Sequence, residues 1–187
     1  MTRTTKMVVG LALLAAIVTL GAIHVGRAQS GNRDAMRMIF AGQSLNDVDI
    51  RAYRRDSFDE MKQAFRGADV TFTNLEAPIR TSQSVPLVKQ GITAHGAAPA
   101  VLDALKDLGF NLLSLSNNHV WDVGERGVLD TLTEVDKRKF VHAGTGRQLD
   151  EATAPAYLET PAGRVALVAM ASGGLMPDAR QPRASQA

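Results

Sequence analysis

LLSLSNNHVWDVG, residues 112–124, is the stretch from which the architecture of the chain can be read. Leu112, Leu113 and Leu115 form an apolar run of the length of a buried strand. It stops at Asn117-Asn118-His119, with Asp122 following and Gly124 closing the turn. An amide, an imidazole and a carboxylate at the end of a buried strand are costly unless something uses them. Open α/β sheets take their ligands at the carboxyl ends of strands. There Asn118 offers a side-chain oxygen and His119 a ring nitrogen, while Asp122 can orient the imidazole, a set of parts that metal-assisted hydrolysis uses. The alternative is an Asn-rich turn carrying a surface His, since Asn and Asp favour turns anyway.

On the N-terminal side of this stretch, strand and helix patterns alternate. Residues 36–41 (MRMIFA) read as a strand ending at Gly42-Gln43. Phe58, Met61, Ala64 and Phe65 recur at helical spacing, which predicts a helix over 57–66 with Ser57 as N-cap, Glu60 completing a capping box and Gly67 as terminator. VTFT at 70–73 is β-branched and aromatic, a second strand that runs into Asn74-Leu75-Glu76. Residues 77–97 hold Pro78, Pro86, Gly91 and Gly96 and read as a long loop, a feature that is often functional in compact domains. A helix over 99–108 has Pro in its first turn and Gly109 as stop signal.

On the C-terminal side, a helix over 127–139 places Val128, Leu129, Leu132 and Val135 on one face. A fourth strand at 140–142 ends in Ala143-Gly144-Thr145-Gly146, and Thr160-Pro161-Ala162-Gly163 joins 156–159 to 164–170 as a β-hairpin. This order predicts an α/β sandwich with a mixed sheet. Polar residues follow three strand ends: Gln43, then Asn74 and Glu76, then Asn117, Asn118 and His119. All would lie on one rim of the sheet.

The first segment reads as targeting rather than fold. Arg3 and Lys6 precede an apolar run from Met7 to about Ile23, and Gly26-Arg27-Ala28 offers a cleavage point, so residues 1–28 are expected to be a signal peptide or an uncleaved N-terminal anchor. Either way the rest would be exported, to the periplasm or exterior or held at the cytoplasmic membrane. With no Cys, no disulfide staples the exported part and any metal must be held by oxygen and imidazole ligands. The net charge is only +2 and aromatics are 5%, without a basic stripe, which argues against nucleic acid as a partner. One domain over 36–176 and a disordered tail over 177–187 (PDARQPRASQA) complete the expected organisation.

The chain resembles the CapA family, the capsule and poly-γ-glutamate synthesis proteins related to calcineurin-like metallophosphoesterases. The likeness rests on FTNLEAPI (72–79), LGFNLLSLSNNHVWDVGERGVLDTL (108–132) and HAGTGRQLDEATAPAYL (142–158), with GQSL at 42–45. NLE followed by NNHxxDxG is much more specific than a lone Gly-rich loop. The resemblance implies an α/β/β/α sandwich with two divalent metals, such as Mn or Fe/Zn, at the strand ends. Glu76 would take the place of the carboxylate bridging the metals, and Asn118 that of an amide ligand. His119 would protonate the leaving group or steady the oxyanion, held by Asp122.

Two departures from the family pattern stand out. The family's first motif usually carries Gly-Asp where this chain has Gly42-Gln43, and a Gln amide is a poorer ligand for a hard cation. Asp47 or Asp49 could substitute for it. Superfamily members also supply further histidines from later in the chain, whereas only His24, His95, His119 and His142 occur here, so the chain reads as the N-terminal portion of such a domain, incompletely ligated.

Each residue also has a plainer role open to it. Glu76 could be a solvated loop carboxylate, Asp122 could cap the helix that begins near Gly124, and Asn74 and Asn117 could hold the turn backbone. His95 and His142 are weaker candidates, Trp121 could line a pocket or bury its ring beside Val120 and Val123, and the Gly144-Thr145-Gly146 turn could approach a phosphate. Two functions follow. One is an exported metal-dependent hydrolase acting on a phosphoester or an amide-linked polymer, impaired in this chain. The other is a non-catalytic, membrane-associated subunit that binds or guides an anionic polymer.

Overall fold

The computed structural model describes residues 35–53, 55–84 and 94–171, all within the unit Asp34–Ala187. The expected leader, the loop residues 85–93 with Pro86 and Gly91, and the tail lie outside the described residues.

Four strands, β1 (Met38–Ser44), β2 (Val70–Leu75), β3 (Leu112–Ser114) and β4 (Val141–Ala143), form a parallel sheet in the order β1-β2-β3-β4. Helices α1 (Arg55–Phe65), α2 (Ala100–Leu108) and α3 (Gly124–Lys137) fill the crossovers. Right-handed crossovers that always step in the same direction stack their helices on one face of the sheet. The core agrees with that rule. Phe58 of α1, Leu102 and Leu105 of α2, and Leu132 and Val135 of α3 share one buried cluster with Leu75, Leu113 and Leu115. On the other face Phe72 aligns with Phe40 and Leu112, and the Phe40 and Phe72 rings meet at 5.8 Å.

The protein is therefore α/β with a mostly parallel sheet. The expected mixed sheet resolves into two ladders. A short helix, α4 (Leu149–Thr153), carries the chain from β4 to β5 (Ala156–Thr160), which pairs antiparallel with β6 (Gly163–Leu167) in a ladder of its own. Strand β6 stops at Leu167, short of the expected 170. No periodicity marked α4, because five residues are too few to show one.

The helix ends follow the expected local chemistry at one position and depart from it at two. Gly109 caps α2 at φ 95°, and its N–H reaches the carbonyls of Leu105 and Lys106. Helix α1 begins at Arg55, so Ser57 and Glu60 lie inside it and the expected capping box is not at its start. Asp122 does not cap α3 either, since the cap is Val123 without a side-chain bond. Its carboxylate is committed elsewhere. Among the described residues no helix is long and apolar enough to cross a membrane.

Candidate metal and acid–base site

The site lies at the carboxyl ends of β2 and β3, where each strand leaves the core. After Leu75 the chain turns through Glu76, whose side chain stays buried at 9% exposure. After Leu115 it turns through Asn117, which ties the two strand ends together. The Asn117 amide donates to the Leu75 carbonyl (2.9 Å) and to Asn74 Oδ1 (3.2 Å), while its Oδ1 accepts from the His119 backbone N–H (2.9 Å). Asn74 and Asn117 thus hold the turn. They also fix where His119 starts.

The His119 ring is pinned between two carboxylates. Its Nδ1 lies 2.8 Å from Asp122 Oδ2, and its Nε2 lies 3.8 Å from Glu76 Oε1. An ionised carboxylate can only accept, so the Nδ1 proton points at Asp122 and the opposite nitrogen faces Glu76. The 3.8 Å separation is too long for a hydrogen bond. Glu76 Oε2 is buried with no hydrogen-bond partner among the described residues. A buried carboxylate oxygen without a partner is costly, and its position beside an imidazole nitrogen is the feature of the site that a cation fits.

The other expected ligands sit differently. Asn118 is exposed, and its side chain makes no hydrogen bond among the described residues. Gln43 is at the end of β1 in register with Asn74, beyond an irregularity between Phe40 and Gln43, and it too is exposed. Among the described residues no three His, Asp or Glu side chains are grouped to hold one ion. Amide oxygens would have to complete the donor set around Glu76.

Asp49 and Asp47 separate cleanly. Asp49 caps a 3₁₀ turn (Ile50–Ala52) and pairs with Arg51 at 2.7 Å. Those Arg51 hydrogen bonds hold its carboxyl below the ordinary aspartate range. Asp47 instead reaches toward the rim, with Oδ2 3.7 Å from His95 Nδ1. His95 is the residue that sequence reasoning undervalued. Its backbone N–H donates to Asp122 Oδ2 at 2.8 Å, and its ring stands edge-on to that of His119 with centroids 4.8 Å apart. The only signal for it was its place in a long Pro/Gly-rich loop.

His142 lies away from this group, with Nε2 3.0 Å from Asp136 of α3. Trp121 packs against the core cluster. In the turn after β4, Thr145 donates to the Leu115 carbonyl at 2.8 Å. A Cβ at Gly144 would fall 2.6 Å from Ser116 Cβ, and one at Gly146 2.5 Å from the Ala152 nitrogen. These glycines serve close packing.

The family model for the bacterial capsule synthesis protein PGA_cap matches residues 16–187. The chain belongs to that family. Relatives in it include the uncharacterized protein y4sH of Sinorhizobium fredii, 33% identical over 74% of this chain and 31% of its own length. The PGA biosynthesis protein CapA of Bacillus subtilis is 30% identical over 61% of this chain and 30% of its own length. The capsule biosynthesis protein CapA of Bacillus anthracis is 25% identical over 68% of this chain and 31% of its own length. In each of the three, the matched region is less than a third of the relative's length.

Proposed function

We propose that this member of the capsule synthesis family carries a metallophosphoesterase-type site for metal-assisted hydrolysis, acting outside the cytoplasm on a phosphoester or an anionic polymer such as poly-γ-glutamate. One observation carries the reading: Oε2 of Glu76 is buried with no partner among the described residues, on a carboxylate whose other oxygen is 3.8 Å from His119 Nε2. Glu76 would hold a divalent cation, with the amides of Asn118 and Gln43 as neutral donors. A cation bound there supplies Lewis-acid stabilisation of developing negative charge. With both ring nitrogens protonated and Nδ1–H held by Asp122, His119 delivers its Nε2 proton to the leaving oxygen and is left as the neutral Nδ1–H tautomer. The test is hydrolysis of bis-p-nitrophenyl phosphate: activity should rise with Mn²⁺ and vanish in His119→Ala. A rate that ignores both changes defeats the reading.

A second reading is a non-catalytic subunit that guides an anionic polymer at the membrane. It is favoured by the amide of Gln43 where family members carry a carboxylate, and by the absence of a three-residue acidic or imidazole group among the described residues. Polymer binding that survives Glu76→Ala in a protein that binds no Mn²⁺ would select it. The exported location rests on the leader at 1–28, and an alkaline phosphatase fusion after residue 35 that stays inactive would remove it.

A further inference from the structure

We propose that Asp47 and His95 are positioning residues for His119, forming a second carboxylate–imidazole pair that clamps the first. The inference deepens the hydrolase reading and rests on it for its kinetic consequence only. The stretch 94–98 runs beside the site and is anchored through the backbone of Ala97 and Ala98. Ala97 donates to the Pro78 carbonyl at 2.8 Å and accepts from Arg80 N–H at 2.9 Å. Ala98 donates to the Asp47 carbonyl at 3.4 Å. Gly96 fits where a Cβ would lie 3.0 Å from Val123 Cγ1 and 3.1 Å from Arg80 Cδ, so the segment runs close against the turn that carries Asp122.

Just ahead of those anchors, His95 makes two contacts with the acid–base pair. Its backbone N–H shares Asp122 Oδ2 with His119 Nδ1, each at 2.8 Å. Its imidazole stands at 85° to the His119 ring, edge-on, with centroids 4.8 Å apart. Asp122 alone fixes one end of the His119 ring but leaves rotation about that hydrogen bond open. A second ring packed at right angles closes off that rotation. Asp47 Oδ2 lies 3.7 Å from His95 Nδ1, beyond hydrogen-bond length, so its hold on the second ring is electrostatic. Nε2 of His119 is thereby held toward Glu76 before any ligand arrives, and preorganisation of this kind is worth large rate factors.

The experiment uses ¹⁵N-labelled full chain, without added metal, at one fixed pH. In the parent protein the His119 ring nitrogens should show one tautomer, protonated at Nδ1. His95→Ala should move them toward the averaged pattern of a free imidazole, His95→Phe should largely restore the single tautomer, and Asp47→Ala should shift them in the same direction as His95→Ala. Unchanged His119 ring signals in His95→Ala, in a variant whose backbone spectrum shows it folded, overturn the proposal, as does failure of His95→Phe to restore them. With bis-p-nitrophenyl phosphate and Mn²⁺, His95→Ala should lower kcat on the order of tenfold and leave KM nearly unchanged. If the parent hydrolyses nothing, the hydrolase reading fails while the ring signals still decide the positioning role.

Discussion

Asp122 Oδ2 accepts two hydrogen bonds of 2.8 Å, one from the ring of His119 and one from the backbone of His95, and so joins residues from two separate crossovers. The carboxylate is 2% exposed, which places both bonds out of competition with water. Asp122→Ala therefore removes the partner of a backbone N–H and of an imidazole at once. Each orphaned donor costs about 1–3 kcal/mol. Urea denaturation should show a loss in that range or above, and hydrolysis should fall with it. A midpoint within about 0.5 kcal/mol of the parent, as for an ordinary surface change, would mean that Asp122 is replaceable by water.

Glu76 reverses the usual direction of a site mutation. Without a cation its buried Oε2 has no partner among the described residues, so the parent bears a cost that Glu76→Gln relieves in part. Glu76→Gln should be as stable as the metal-free parent or more so, by about 1 kcal/mol on the scale of one unsatisfied buried group. The parent should gain thermal stability on addition of Mn²⁺, and the variant should not. Equal gains in both proteins would locate the cation elsewhere.

Much of this site was legible because strands announce their own ends. The run Leu112–Ser114 with Leu115 is apolar and then abruptly polar, and the same change follows Leu75, so the sequence alone puts Glu76 and His119 on one rim. What could not be read was long-range. The proximity of His95 to His119 goes with the pairing of Ala97 to Pro78 and Arg80, and no local period encodes that pairing. Asp122 was equally plausible as a helix cap, because the sequence does not say whether a carboxylate beside a helix start meets the helix or the residue before it. Asn118 and Gln43 share the rim by position. The irregularity in β1 shifts Gln43 by a residue relative to β2, and Asn118 is exposed in the turn after β3.

Asp130 governs how the segment after Glu76 responds to acid. The carboxylate is 3% exposed and accepts from Thr81, Ser84 and Arg126 at 2.8–2.9 Å, tying residues 81–84 to α3. Burial opposes its charge, but the hydrogen bonds from Ser84, Thr81 and Arg126 outweigh that and hold it below the ordinary value of 3.8. A depressed carboxyl contributes stability that is present above the unfolded value and lost as pH falls through the folded one. The parent should thus keep this contribution at neutral pH and lose it below pH 3.8. Asp130→Asn should be less stable at neutral pH, and the difference should shrink as pH is lowered through that range. A difference that stays constant with pH would assign the effect to packing.

Gly127 shows how tightly the start of α3 is built against the turn that carries Asp122. A Cβ there would lie 2.0 Å from Val123 Cγ2 and 2.9 Å from Val123 Cβ. Val123 is 1% exposed and β-branched, so it has little freedom to rotate away. Gly127→Ala should gain helix propensity of up to about 1 kcal/mol but lose more to overpacking, for which about 1–3 kcal/mol is typical. The net effect should be destabilising, seen as a lower urea midpoint. Relief should come from a second change at the obstructing side chain: Val123→Ala with Gly127→Ala should recover part of the loss, giving a favourable coupling energy in a double-mutant cycle. Strict additivity of the two would show that the clash is absorbed by the backbone, and His119 would then be expected to shift with the turn.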